Sequence, residues 1–271
     1  MMFLNLSFAQ TTKVMTYNIR YDNPNDGENN WHHRKETIVN QILFYEPDVI
    51  GTQEGLEGQI KYLNEKLINY SFVGVARGDV KEGGKGEYSA ILYNKLKYKE
   101  VKSGTFWLST TPDKPSRGWD ASLNRICTYI HLKNKNNKKE FWVFNTHFDH
   151  KGKVAREKSA ALILTRIKEI NKENLPFFLV GDFNLVPEDS PIQLISSELN
   201  DALKITQNPP FGPYGTFIGF DKCKSAKRRI DYIFTSKKNI AIKKYAVLAD
   251  INNLKFPSDH FPVMIEALIN P

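Results

Sequence analysis

The chain is 271 residues long, room for one large domain or two small ones, and its 41% apolar and 12% aromatic content can fill a core, which excludes an intrinsically disordered protein. Lys and Arg number 38 against 30 Asp and Glu, a formal +8 that favours anionic partners such as phosphate esters or nucleic acid but says nothing of fold. Two cysteines, Cys127 and Cys223, exclude a disulfide scaffold and a Cys-rich zinc module. No stretch approaches the ~20 apolar residues of a membrane span, so stable membrane insertion is not expected.

In chain order, Met1 to Gln10 is apolar and turns abruptly polar, and Ser7-Phe8-Ala9 has the small-x-small form of a signal-peptidase site. We read residues 1–9 as the end of a longer secretion signal, which implies a periplasmic or secreted protein. The alternative is a frayed N-terminus and a cytoplasmic one. Residues 13–269 then read as one domain. Lys13 to Arg20 is β-rich and runs into a turn-heavy stretch, Asp22 to Gly27, whose likeness to a calcium loop fails at Pro24. Ile38, Ile42 and Tyr45 are spaced as on a helix over 34–45, and Pro47 to Glu54 is a short apolar strand ending in a carboxylate. A helix carrying Ile60, Leu63 and Leu67 follows, then strands at 71–76, 88–93, 125–132 and 141–146. Val154 to Ile170 is the clearest helix, and Pro176 to Val180 a continuous apolar strand before Gly181-Asp182-Phe183-Asn184. A shorter helix at 191–199 precedes strands at 229–235, 241–248 and 261–267. This mixture, without repeats or linkers, indicates an α/β domain with a large mixed sheet system.

Polar residues recur at the ends of these strands: Asn18, Glu54, His147, Asp182 with Asn184, Asp231, and Asp259 with His260. Each alone is weak; a single histidine is more often structural than catalytic. Gathered at one end of a sheet, the carboxylates would repel one another unless a cation and an anionic substrate offset them. Lys222, Lys224, Lys227, Arg228 and Arg229 crowd the loop before Asp231. Such a run is ordinarily a solvated face, but its place beside Asp231 makes it a candidate phosphate contact.

Thr16-Tyr17-Asn18-Ile19-Arg20, Thr52-Gln53-Glu54, Asn145-Thr146-His147, Gly181-Asp182-Phe183-Asn184, Arg229-Ile230-Asp231-Tyr232-Ile233 and Ser258-Asp259-His260-Phe261-Pro262 resemble, in that order, the motifs of the endonuclease/exonuclease/phosphatase superfamily. These are the DNase-I-like metal-dependent phosphoesterases, and the chain is most similar to their uncharacterised bacterial branch. The resemblance implies a four-layer α/β sandwich, two mixed sheets packed face to face with helices outside. It implies Mg2+, with Mn2+ as a substitute, held by Glu54 with Asn18 and Asp259 nearby. Asp182 would align or deprotonate the attacking water, Asn184 would donate to a phosphoryl oxygen, and His147 and His260 would supply further donors. Asp231 would orient His260, as a carboxylate does for an imidazole. Glu87 matches a glutamate that supports the first histidine, and Arg125, with Arg20, the substrate-binding arginines. The expected protein is thus a monomeric phosphodiesterase, nuclease or phosphatase acting on nucleic acid or a small phosphorylated molecule.

Other readings compete. Asn145-Thr146-His147-Phe148-Asp149-His150 is similar to the zinc motif of the metallo-β-lactamase group with its first histidine replaced. Gly181-Asp182 is similar to calcineurin-like phosphatases, whose other blocks are missing. A non-catalytic binding protein on the same fold would not need the intact acid, amide and imidazole set. Asp149 and His150 read as substrate-edge or solvent residues, and Cys127 as a buried strand thiol. The four tryptophans read as packing residues, with Trp31 and Trp119 alternatively lining a cleft. Long loops at 22–33, 110–124 and 208–228 are expected to shape specificity.

Overall fold

Strand residues alternate between two faces, and in the central strands both faces are apolar. Val14, Val49, Val143 and Val180 point into one cluster, while Met15, Ile50, Phe144 and Leu179 point the opposite way, toward helices. Two sheets follow, packed face to face. The computed structural model describes residues 11–78 and 86–269; the expected signal remnant at 1–9 lies outside the described residues.

One sheet has the order β11 (Ile240–Val247), β12 (Val263–Ile269), β1 (Thr11–Asn18), β2 (Val49–Gln53), β4 (Ile91–Asn94), β3 (Tyr70–Val73). The other runs β5 (Tyr98–Trp107), β6 (Ile126–Asn134), β7 (Glu140–His147), β8 (Phe177–Asp182), β10 (Asp231–Thr235), β9 (Asn200–Asp201). Helices α1 (Trp31–Tyr45) and α2 (Glu57–Lys66) cover the first sheet through Ile38, Ile42, Ile60 and Leu63. Helices α3 (Lys153–Ile170) and α4 (Ser190–Glu198) cover the second through Ile163, Ile167, Ile192 and Ile195. The protein is a four-layer α/β sandwich of two mixed six-stranded sheets, as the sequence implied.

Register explains where the polar strand ends meet. Each sheet has a parallel pair at its centre, and parallel strands finish at the same edge. Asn18 lies opposite Gln53 in β1 and β2, and His147 opposite Asp182 in β7 and β8. Antiparallel β10 starts at that edge, with Asp231 opposite Asp182. Antiparallel β12 starts there too, placing Asp259 and His260 just before Val263, which pairs with Thr16. Just beneath this edge the two sheets are tied by buried amides. Gln53 Nε2 donates to Asn145 Oδ1 at 2.7 Å, and Asn145 Nδ2 donates to the carbonyls of Thr52 and Ala90 at 2.9 Å each. The approach is close because β2 carries Gly51, where a Cβ would lie 2.5 Å from Val180 Cγ2.

Three elements had no expectation behind them. The edge strand β5 reads Tyr-Lys-Glu-Val-Lys-Ser-Gly-Thr-Phe-Trp, half solvated and without clean alternation, so periodicity is silent there. The two-residue β9 and the single-turn α5 (Ala202–Ile205) are too short to carry a period. Helix α1 begins at Trp31, three residues before the expected start, and the turn-rich stretch ahead of it includes a 3-10 helix at Pro24–Asn29.

Candidate active site

The expected residues converge on one cavity of ≈ 410 Å³ bordered by Arg20, Glu54, Glu87, Arg125, His147, Asp182, Asn184, Asp259 and His260. Asn18 and Asp231 are buried directly behind it. Three residues reach it through left-handed backbone, Arg20 (φ 56°), Glu54 (φ 65°) and Asn184 (φ 54°), a conformation that non-glycine residues adopt at a cost and that turns each side chain sharply out of its strand. Gly181 (φ 154°) is required just before Asp182, since a Cβ there would sit 2.1 Å from the Thr146 carbonyl oxygen.

Asn18 organises the carboxylates. Its Nδ2 donates to Glu54 Oε1 at 3.0 Å and to Asp182 Oδ2 at 2.9 Å. Its Oδ1 accepts from the Arg20 N–H at 3.0 Å, which fixes the amide's orientation because a backbone N–H can only donate. Asn18 thus offers a donor where the sequence reading had a metal ligand. Glu54 Oε2 accepts from the Tyr21 N–H at 3.2 Å. Arg20 Nη1 lies 3.9 Å from both Glu54 Oε2 and Asp259 Oδ2, while its stronger bonds go to Asp26, at 2.9 and 3.0 Å.

Electrostatics separates the acids and imidazoles. Burial, then the Asp231 charge, pushes the Asp182 carboxyl up to about 7. Burial also raises Asp259, with Glu54 adding to it and His260 opposing. His260 is buried, which disfavours its charge, yet Asp231 and Asp182 outweigh that and hold it well above the ordinary imidazole range. The Asp231 contact is a 2.9 Å bond from His260 Nδ1 to Oδ2. His147 is driven the other way, by burial first and then by Arg125 and Arg77. Asn184 Nδ2 donates to the Phe148 carbonyl and lies 3.1 Å from His147 Nε2, which must therefore accept, leaving the proton of a neutral ring on Nδ1 toward Glu87. In this state His147 orients Asn184 and is not itself a donor toward the cavity.

Glu87 and Arg125 are near the reacting end but engaged elsewhere. Glu87 Oε2 is 3.8 Å from His147 Nδ1, whereas its bidentate partner is Arg77 at 2.7 and 2.8 Å. Arg125 is 4% exposed, contacts Asp149 (3.4 Å) and His150 (3.1 Å), and its Nη1 has no partner among the described residues. Asp149 is not at the substrate edge as expected. It is buried and accepts from the backbone of Ser122, Leu123, Lys151 and Gly152, bracing the loops around Arg125. The zinc alternative fails on the same geometry, since Asn145 is spent between the sheets and Asp149 between loops. Arg229 is also corrected: it is buried in a bidentate pair with Asp201 (3.0 and 2.5 Å) and faces no substrate. Trp31 packs edge-on against Tyr62, and neither it nor Trp119 borders the cavity. Cys127 is buried and Cys223 exposed.

Four supporting residues escaped the sequence reading. Arg34 donates to the carbonyls of Ile19, Arg20 and Pro257, tying the Arg20 turn to the segment before Asp259. Gln59 Oε1 accepts from Asp22 and its Nε2 donates to the Arg20 carbonyl. Asp26 and Arg77 hold Arg20 and Glu87. All lie on helices or loops with no motif around them, so spacing gave no signal.

Glu54, Asp182 and His260 each present one ligand atom within 4.8 Å of the others, the one such group among the described residues. Carboxylates in surplus of nearby cations, two of them pushed up by burial, are what a hard divalent ion would relieve, so the residues fit one.

The model of the Endonuclease/Exonuclease/phosphatase family matches residues 15–260. Among solved structures, an endonuclease/exonuclease/phosphatase family protein from Bacteroides thetaiotaomicron is 38% identical with a TM-score of 0.91, covering 97% of this chain and 99% of that one. A mannosyl-6-phosphatase from the same species is 39% identical with a TM-score of 0.90, covering 95% of this chain and 100% of that one. An uncharacterized protein of Acanthamoeba polyphaga mimivirus is 29% identical over 259 residues, 87% of this chain and 91% of that one.

Proposed function

Because the chain belongs to the endonuclease/exonuclease/phosphatase family, we propose that it is a Mg2+-dependent phosphomonoesterase acting on a phosphorylated sugar. The observation that carries the hydrolase reading is the meeting of Glu54, Asp182, Asn184, Asp259 and His260 around one cavity. Its ≈ 410 Å³ is the size of small-molecule sites. The 39% identity to a mannosyl-6-phosphatase over that protein's whole length supports the sugar phosphate as substrate.

Glu54 and Asp259 would hold the cation, with Asp182 beside them; His260, kept protonated by Asp231, serves better as a donor than as a ligand. When bound, the cation supplies neutralising charge to the phosphoryl oxygens. Asp182 Oδ2 takes a proton from the attacking water, and a carboxyl raised to about 7 is matched to that task at neutral pH. Asn184 borders the cavity beside Asp182 with both amide N–H groups engaged, by Phe148 and His147, and would donate to a phosphoryl oxygen by exchanging one of those bonds. His260 donates its Nε2 proton where negative charge grows, and Asp231 holds the ring in place. Arg125 borders the cavity, and its Nη1, without a partner among the described residues, would donate to another phosphoryl oxygen.

A panel of glucose 6-phosphate, mannose 6-phosphate, bis-p-nitrophenyl phosphate and an oligonucleotide, with Mg2+ and with chelator, tests this. Phosphate release from the sugar phosphates, abolished by chelator and restored by Mg2+, is expected. Cleavage of the oligonucleotide with the sugar phosphates untouched would overturn the substrate class, and activity undiminished by chelation would overturn the mechanism.

A further inference from the structure

A second groove, ≈ 750 Å³, opens beside the catalytic cavity, and the two share Phe217 and Arg228. The segment that divides them is held by backbone bonds on both sides. Thr216 N–H donates to the Arg228 carbonyl at 2.9 Å, Ile218 N–H to Asp259 at 2.9 Å, and the Phe261 N–H to Thr216 at 2.7 Å. Thr216 Oγ1 also accepts from the Asp231 N–H at 3.1 Å. The Phe217 ring lies edge-on to His260, with centroids 5.0 Å apart. This wall is therefore built onto the reacting residues, and what lies beyond it is placed to meet the part of the substrate that leaves.

The groove's charge is unbalanced. Lys224 is paired with Asp221 at 2.8 Å, but Lys227 and Arg228 are exposed and have no acidic partner among the described residues. Their neighbour Arg229, in contrast, is buried in a bidentate pair with Asp201. Two free cations at the mouth of a phosphoester site, flanked by an aromatic face, suit an anion carried on the leaving group.

We propose that this groove is a leaving-group subsite in which Lys227 and Arg228 bind a second anionic group of the substrate, a phosphate or carboxylate, while Phe217 covers the apolar face of the ring between them. The inference rests on the hydrolase reading above and narrows its substrate to a doubly anionic phosphoester. Glucose 1,6-bisphosphate adds a second phosphate to glucose 6-phosphate with the ring kept, whereas 6-phosphogluconate adds a carboxylate on an open chain and so tests the second anion without the ring.

KM is measured for the three probes in Mg2+, and binding without turnover by calorimetry on the Asp182→Asn protein. At least one doubly anionic probe is expected to bind about five- to tenfold more tightly than glucose 6-phosphate, the range of one or two charge-assisted contacts on a solvated surface. Lys227→Gln is expected to remove most of that preference and leave glucose 6-phosphate kinetics unchanged; Arg228→Gln is expected to weaken the doubly anionic probe more than the singly anionic one. Equal affinity for all three probes, or equal losses across them in both variants, would overturn the subsite. Preferential binding with no phosphate release from any probe by the unaltered protein would instead overturn the hydrolase reading while retaining the groove as an anion site.

Discussion

Replacing Asp231 by Asn isolates one carboxylate whose only side-chain partner is known. Asp231 is 1% exposed, its Oδ2 takes the 2.9 Å bond from His260 Nδ1, and its Oδ1 has no partner among the described residues. Asparagine keeps the shape and an acceptor oxygen but removes the charge. A hydrogen bond to a charged group contributes about 1.5–3 kcal/mol, so the loss corresponds to about 10- to 150-fold in rate if the bond matters fully in the transition state. The sign with pH is fixed as well. Asp231 raises the folded pKa of His260, so the stabilisation is complete below the imidazole's unfolded value and disappears as pH rises through the folded one. Without the Asp231 carboxylate, only Asp182 and Asp259 remain to oppose burial, and the ring loses its proton at lower pH than in the unaltered protein. The alkaline limb of kcat/KM should move to lower pH, and the variant should lose more stability at pH 6 than at pH 9. Rates from pH 5.5 to 9 and urea denaturation at both ends measure this. An unchanged limb with near-normal kcat would refute the role given to Asp231.

Asp182→Asn should lower kcat by on the order of hundreds-fold or more. Because burial makes the ionised carboxylate unfavourable in the folded protein, its thermal midpoint at pH 8 should not fall; a large drop would mean that Asp182 is structural. Mg2+ should raise the thermal midpoint more at pH 8 than at pH 6, since the Asp182 carboxyl, pushed up to about 7, holds its proton more at pH 6 and the ion beside it must displace that proton. A pH-independent stabilisation would exclude Asp182 from the neighbourhood of the ion. Gly181→Ala should cost about 3 kcal/mol in urea denaturation, combining a strained φ with a clash against the Thr146 carbonyl. A cost under about 1 kcal/mol would show that the β7–β8 junction relaxes freely.

The mixed-sheet α/β domain was legible because continuous apolar runs such as 176–180 or 141–144 have few other uses, whereas the four layers followed from the family resemblance. The strand-end residues were legible for a related reason. A polar residue at either end of a strand has no apolar layer to enter, so Glu54, Asp182 and Asp259 stood out. What stayed hidden was pairing between distant loops. Arg229 and Arg228 are neighbours of identical type, yet one is sealed against Asp201 and the other is free, and nothing local distinguishes them. Asn18 was legible as a site residue but not as a donor, because its orientation depends on the Arg20 N–H, which points there only after the backbone has turned left-handed. Glu87 reached the neighbourhood of His147 as anticipated, but its main bonds go to Arg77, a residue with no motif around it.

The way the four acids are partnered fits the cation proposed for this site. Asp231 has His260, and Glu54 has the Asn18 amide and the Tyr21 N–H. Asp182 and Asp259, the two whose carboxyls are pushed up, have no basic group at direct bonding distance: Asp182 is held by amides, and Asp259 sees Arg20 only at 3.9 Å. Arg20 cannot close that gap while Asp26 holds its guanidinium in a bidentate grip. Asp26 thus keeps Arg20 one step short of Glu54 and Asp259, at 3.9 Å from each, and the proposed ion would supply the charge that Arg20 withholds.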